Sequence, residues 1–307
     1  MLLTFLALVV GGLLAVQAAA NLQLSSAAGG PVGASTLQLG VGAALLTVLA
    51  TLAGSLGAVD LLPNAEPWHL LGGLGSAVYI TAGILLFPRL GALVSVGLFV
   101  TGQMIASVVV DTLGLLGVAR TGLKPATVVG AAAVVAGIAL VVRAQAPTLA
   151  PAGRWVQLAR WVLLGLAAGS ALPLQGAVNA QLRADLHAPV TVGAFSFMVA
   201  TATMALVLLG AHALRRTPWP RLAPLRRLPW WGWLGGFAGA TYVVAVFLLI
   251  PQIGAAAVVG LTVAGQQLAS LLVDHFGLLR LPERPLTRAR LAGVALLLAG
   301  VALIQLT

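Results

Sequence analysis

No cysteine occurs in the 307 residues. That excludes a disulfide framework, a thiolate nucleophile and a cysteine-based metal site. Charge is scarce too: 7% of residues are Asp, Glu, Lys or Arg, against roughly 25% in soluble domains. No GxxxxGK[ST] loop is present, so this chain carries no ATP-driven motor of that kind. Neither HExxH nor GxSxG occurs with suitable partners, and there is no histidine cluster and no pair of catalytic carboxylates. The expectation is therefore a protein that is not an enzyme and holds no cofactor or metal.

What is abundant is apolar length. Hydrophobic residues make up 60% of the chain, and the mean hydropathy is +1.08. Runs of about 20 apolar residues are long enough to cross a bilayer as helices. Ten such spans are expected, near 2–24, 32–56, 69–87, 90–116, 124–143, 159–182, 190–213, 231–250, 253–279 and 289–306. The first imitates a signal peptide, with an apolar core and Ala18-Ala19-Ala20 at its end. It lacks a basic leader and has a counterpart beginning near Trp161, so it is expected to be retained. Pro88 and Pro251 are expected to end one span and open the next, because proline removes a backbone donor and disfavours helix in the preceding residue.

The net charge of +10 does not read as a nucleic-acid surface, because the basic residues sit in short loops between apolar runs. Thirteen of the 16 Lys and Arg residues fall on one side, at Arg89, in 143–160, in 215–227 and in 280–290. Arg120, Lys124 and Arg183 fall on the other. The richer side is expected in the cytoplasm, with both termini outside. Trp68, Trp155, Trp161, Trp219, Trp230, Trp231 and Trp233 lie at span ends, as an interfacial aromatic belt does.

The chain also repeats itself. Gly72–Leu116 matches Gly235–Leu279 at a constant offset of 163, with about half the positions identical. Gln17–Asn21 matches Gln175–Asn179 at an offset of 158. Two units follow, 1–146 and 147–307, with the boundary in the Pro- and Ala-rich stretch Ala144–Gly153. Five spans per unit is an odd number, so the second unit must enter the membrane from the opposite face. The expected fold is an all-α integral membrane protein of ten transmembrane helices in two inverted five-helix repeats. Glycines inside spans are expected to let helix backbones approach closely.

Polar groups recur at equivalent depths. Gln17 and Asn21 stand on one helix face, mirrored by Gln175 and Asn179. Gln103, Ser107 and Asp111 form a stripe, mirrored by Gln266, Ser270 and Asp274. Tyr79 and Tyr242 fall mid-span, away from the interfaces where aromatic anchors sit. Pro31 and Pro189 suit the first turn of a helix, and Gln38 and Ser196 match in the spans that follow them. Amides in hydrocarbon need partners. The eight amides and phenols either line a substrate cavity or hold the bundle together. Asp111 and Asp274 either serve structure or couple transport to protons or cations, since intramembrane carboxylates mark functional sites by default. His275 beside Asp274 has only Thr112 as its counterpart.

These residues resemble a known family. Ten spans in two five-helix repeats resemble the drug/metabolite transporter superfamily, the EamA-like fold. Gly169, Gln175-Gly-Ala-Val-Asn179 with Pro189 and Ser196, and Gly265-Gln266, Ser270, Asp274-His275-Phe276-Gly277 resemble the signatures of its YdcZ-like inner-membrane exporters. The first half carries the same marks at Gln17, Asn21, Pro31, Gly102-Gln103, Ser107, Asp111 and Gly114. Many members look like single five-helix units, and this chain resembles a fused pair. No glutamate lies in the first span, where small multidrug exporters carry one. The resemblance implies a secondary transporter in a bacterial inner membrane, exporting a small metabolite or drug-like solute. Its expected partners are that solute and membrane lipid, and a homodimer is left open. Flipping of a lipid or lipid-linked carrier, or a scaffold role, is the alternative. Scarce intramembrane charge favours a neutral, zwitterionic or weakly cationic solute over a strong anion.

Overall fold

The computed structural model describes residues 1–149, 155–220 and 222–305, and among them every regular element is helical. Ten helices are long and apolar enough to span a membrane. They are α1 (Leu2–Ala27), α2 (Pro31–Leu52), α3 (Gly73–Leu90), α4 (Ala92–Leu113), α5 (Pro125–Leu149), α6 (Trp155–Leu186), α7 (Pro189–Ala213), α9 (Leu234–Ile253), α10 (Ala255–His275) and α11 (Arg288–Gln305). A five-residue helix, α8 (Leu222–Arg226), lies between α7 and α9.

Local sequence explains most boundaries. Pro31 and Pro189 open α2 and α7, where a missing N–H leaves no bond unmade. Pro88 and Pro251 do not end their spans, contrary to expectation. The helices run through them to Leu90 and Ile253. The chain turns instead at Gly91 (φ 85°) and Gly254 (φ 84°), a backbone conformation that only glycine adopts freely. A proline in a last helical turn costs little when the break follows at once. The second and fourth spans are shorter than expected, ending at Leu52 and Leu113. Leu56–Asn64 and Pro67–Leu71 form 3-10 helices between α2 and α3. The expected boundary loop is partly helical, since α5 continues to Leu149. Residues 150–154 and 221, including Arg154 and Arg221 of the charge tally, lie outside the described residues, as does the side chain of Trp155.

Contacts between helices recur in equivalent pairs. α1 packs on α9 and α10 as α6 packs on α3 and α4, while α2 lies against α7 and α5 against α11. Single residues keep the two sequence offsets. Gly11 meets Thr262 as Gly169 meets Phe99, and Gly265 meets Leu8 as Gly102 meets Leu166. Gln23 Nε2 donates to Leu279 O (3.2 Å) as Gln181 Nε2 donates to Leu116 O (3.2 Å). Along α2 and α7, Gly40 faces Thr201, Gly42 faces Phe197 and Leu46 faces Gly193, so these two helices run antiparallel. In α5 and α11, Gly137 faces Gly293 O and Gly300 faces Gly130 O. Small residues at such seams let the backbones touch.

Among the described residues the apolar side chains gather into two larger cores and two small clusters. One joins α3, α4, α5, α6, α10 and α11 around Phe87, Leu93, Phe99, Val134 and Leu297. The other joins α1, α2, α3, α7 and α9 around Leu24, Leu39, Phe197 and Met204. Tyr79 packs against both and so marks their seam.

Candidate functional site

Each amide pair grips a helix of the other half. On α1, the i, i+4 spacing turns Gln17 and Asn21 to one face, toward α9. Asn21 Oδ1 lies against Gly235 and Gln17 Nε2 against Gly239, one turn apart on each helix. Gln38 of α2 closes the cluster: Asn21 Nδ2 donates to Gln38 Oε1 (3.4 Å), and Gln38 Nε2 donates to Gly235 O (3.3 Å). All three amides are buried.

The mirror cluster forms on α3. Asn179 Oδ1 lies against Gly72, and Gln175 packs on Gly75. Ser76 Oγ donates to Gln175 Oε1 (2.9 Å), and Asn179 Nδ2 donates to Ser196 Oγ (3.2 Å). In both clusters the asparagine oxygen is buried with no hydrogen-bond donor among the described residues. A Cβ at Gly72 or Gly235 would collide with that oxygen.

One turn further along each ladder stands a tyrosine. Gln266 Nε2 of α10 donates to Tyr79 Oη (2.8 Å), and the Tyr79 ring sits 4.6 Å from Phe99. Tyr242 stands in a different setting: it lies near Thr262, the residue equivalent to Phe99, and near Tyr79. Gln103 is half-buried on α4, and no hydrogen bond among the described residues ties it to Tyr242. Of the eight expected residues, Gln17 with Asn21 and Gln175 with Asn179 fall in two separate amide clusters, Gln266 bonds Tyr79, and Tyr242 and Gln103 stand outside these bonds.

The carboxylates stand at opposite ends of the bundle and differ sharply. Asp274 is 1% exposed and Arg290 2%. Asp274 accepts Ala92 N–H at Oδ1 (2.7 Å), and at Oδ2 it accepts Leu93 N–H (3.2 Å) and Arg290 Nη2 (2.8 Å). It therefore caps the first turn of α4 with a negative charge, which the helix dipole favours. Arg290 is held in turn by Arg284 O and Pro285 O, each at 2.8 Å. Asp111 is only part-buried. It accepts a long bond from Ser107 Oγ (3.5 Å) and borders a cavity of about 210 Å³ with Thr121, Lys124, Thr127 and Ile304.

Sequence reasoning treated Arg290 as a loop charge; nothing in its spacing distinguishes it from Arg288. Gln38 was visible only as a faint polar match to Ser196. The pair His69 Nδ1 and Asp185 Oδ2 (2.5 Å), joining the Pro67–Leu71 turn to the end of α6, has no counterpart in the other half and so left no repeat signal. The His275 ring lies tilted against Phe276, and no bond among the described residues joins it to the Asp274 cluster.

The family model described as "Putative inner membrane exporter, YdcZ" matches residues 2–140 and again 160–303. The chain belongs to the YdcZ family. Each YdcZ segment supplies one asparagine–glutamine pair, one tyrosine and one intramembrane aspartate, and the two matches flank the link between α5 and α6. A solved structure titled "Crystal structure of protein" is similar, with a TM-score of 0.55 over 99% of this chain and 96% of that one. At 20% identity that likeness shows the fold alone. No curated protein matches the chain. The YdcZ assignment makes the chain an integral membrane protein of the exporter type, consistent with its ten apolar helices.

Proposed function

We propose that this YdcZ-family chain is a secondary exporter of a small metabolite or drug-like solute, working by alternating access between two oppositely threaded five-helix units. The observation that carries the reading is the polar ladder. Asn21 and Gln17 descend α9 from the arginine-rich end, Asn179 and Gln175 descend α3 from the opposite end, and Tyr79, Gln266 and Tyr242 stand between them. The antiparallel course of α2 and α7, and the exchange of α1 and α6 partners between halves, support opposite threading. The reading puts the unit boundary at residues 146/147, and the gap between the two family matches, from 140 to 160, supports it.

In this reading the solute sits at the seam, hydrogen-bonded by Gln17, Tyr79, Gln175, Tyr242 and Gln266, with the orphan asparagine oxygens beside it. Gln103 stands ready on α4 to meet Tyr242 when Gln266 releases Tyr79. Uncharged donors and acceptors suit a neutral or zwitterionic solute. Proton or cation coupling falls to Asp111 or Asp274; in the state described Asp274 is held by two amides and Arg290, and Asp111 is the freer of the two. The arginine-rich end faces the cytoplasm and both termini face outward.

Reconstituted protein tested against a metabolite panel under an imposed pH gradient decides the matter. Each hydrogen bond to solute is worth about 1 kcal/mol, so Gln17→Ala, Gln175→Ala and Gln266→Ala should each slow transport by roughly fivefold. Rates unchanged across all three would remove this site. Movement of lipid analogues insensitive to the gradient would favour flipping instead.

A further inference from the structure

The two ends of the bundle are not in the same state, and the sequence repeat says which contacts should be equivalent. At the arginine-rich end, Asp274 caps α4 directly after Gly91, and its Oδ2 lies 3.0 Å from where a Gly91 Cβ would stand. Every residue from Gly91 to Gly102 is buried. The offset of 163 carries Asp274 onto Asp111 and Gly91 onto Gly254. The backbones agree closely: Gly254 caps α10 with φ 84° and ψ 152°, Gly91 caps α4 with φ 85° and ψ 167°. Asp111 O accepts Thr121 N–H (2.8 Å) as Asp274 O accepts Arg284 N–H (2.7 Å). Yet nothing lies within 4 Å of the Gly254 Cβ position, so Asp111 has not reached α10.

A second contact differs in the same sense. At the arginine-rich end α1 closes on α3, with Ala18 reaching Gly83. Its equivalent, Gly176 of α6, is exposed and has nothing within 4 Å of its Cβ position. One end is thus closed by a carboxylate cap and by packing of the first span of a unit on its third, while the other end has neither.

We propose that Asp111 and Asp274 are reciprocal gate residues, each capping the first turn of the other unit's fourth span, so that one cap forms as the other breaks. In the state described here the Asp274 gate is made. In the opposite state Asp111 reaches the backbone amides that follow Gly254. The gates are unequal by sequence: two arginines, Arg284 and Arg290, stand by Asp274, where Thr121 and Thr127 stand by Asp111 with a single Lys124 in the same cavity. That imbalance favours the closed arginine-rich end at rest. The proposal rests on the alternating-access reading but does not depend on where solute binds.

The absence of native cysteine makes the test direct, because spin labels attach only where cysteines are introduced. Leu115→Cys with Gln252→Cys reports the Asp111 gate, and its equivalent, Leu278→Cys with Arg89→Cys, reports the Asp274 gate; all four side chains are exposed. Distances are measured in liposomes without solute, so a failure here is separable from a failure of the binding site. The parent should give a short distance at 278/89 and a long one at 115/252. Asp274→Asn should lengthen the first and shorten the second together. Thr121→Arg with Thr127→Arg should enrich the short 115/252 population several-fold, and adding Asp111→Asn should abolish that gain. If Asp274→Asn does not accumulate as folded protein, the arginine transplant with and without Asp111→Asn tests the same exchange from the other end. The proposal is overturned if 278/89 lengthens without any shortening of 115/252, or if the transplant leaves the 115/252 distance unchanged.

Discussion

Replacing Gly235 by alanine tests whether the amide clusters hold the two halves together. A methyl at this position would collide with Asn21 Oδ1 and come within 2.9 Å of Asn21 Cγ and 3.0 Å of Gln38 Cγ. The cluster cannot yield freely, because Asn21 is bonded to Gln38 and Gln38 to Gly235 O. Overpacking of this kind costs about 1–3 kcal/mol. The two disturbed interhelical bonds are worth about 0.6 kcal/mol each in a membrane protein. The sum is a loss of about 2–4 kcal/mol. Reversible unfolding in mixed detergent and SDS micelles measures it. The decisive comparison is the double-mutant cycle with Asn21→Ala, which removes the obstructing oxygen. The double variant should be less destabilised than the sum of the two single variants by at least about 1 kcal/mol. Gly72→Ala with Asn179→Ala should show coupling of the same sign. Strict additivity in both cycles would mean that the glycines are not there to admit the asparagines, and the clusters would lose their role as clasps.

Other outcomes follow from the same contacts. Arg290→Met leaves Asp274 buried without its cation and should lower stability by about 3–5 kcal/mol, read as thermal unfolding in detergent; adding Asp274→Asn should recover part of the loss. Gly137→Ala presses a methyl against Gly293 O, 2.6 Å away, and should cost about 1–3 kcal/mol while leaving solute preference unchanged in a transport competition assay. Tyr79→Phe and Gln266→Ala should each slow transport, but the double variant should be little worse than either alone, because the two side chains bond each other. Independent, multiplying losses would show that they act separately.

The repeat register was the most legible feature of the chain. The offsets of 163 and 158 anticipate which residues occupy equivalent places, and contacts such as Gly11–Thr262 with Gly169–Phe99 obey both. Apolar run length located all ten spans, because in lipid a backbone must satisfy its own hydrogen bonds as helix. Their ends were less legible. Pro88 and Pro251 carry the stronger local signal, but a proline near a helix end is tolerated, and the positive-φ glycines three residues later make the turn. The amides and tyrosines could be named from their repetition at depth. Their division into two clasps around a phenolic pair could not, because it depends on which helix of the other half each faces. Arg290 escaped notice for a related reason: its burial is decided by a carboxylate 16 residues away on another helix.

Because α1 and α6 each lie chiefly against helices of the opposite unit, neither half can complete its own interior. A five-span fragment released alone would expose its clasp glycines and tyrosine to acyl chains. It could become whole only by meeting a second segment that supplies those partner helices. Joining both segments in one polypeptide keeps them at a fixed ratio and leaves each free to differ in sequence. Arginines stand beside one carboxylate and threonines hold the same places beside its twin, a difference that two identical subunits could never hold.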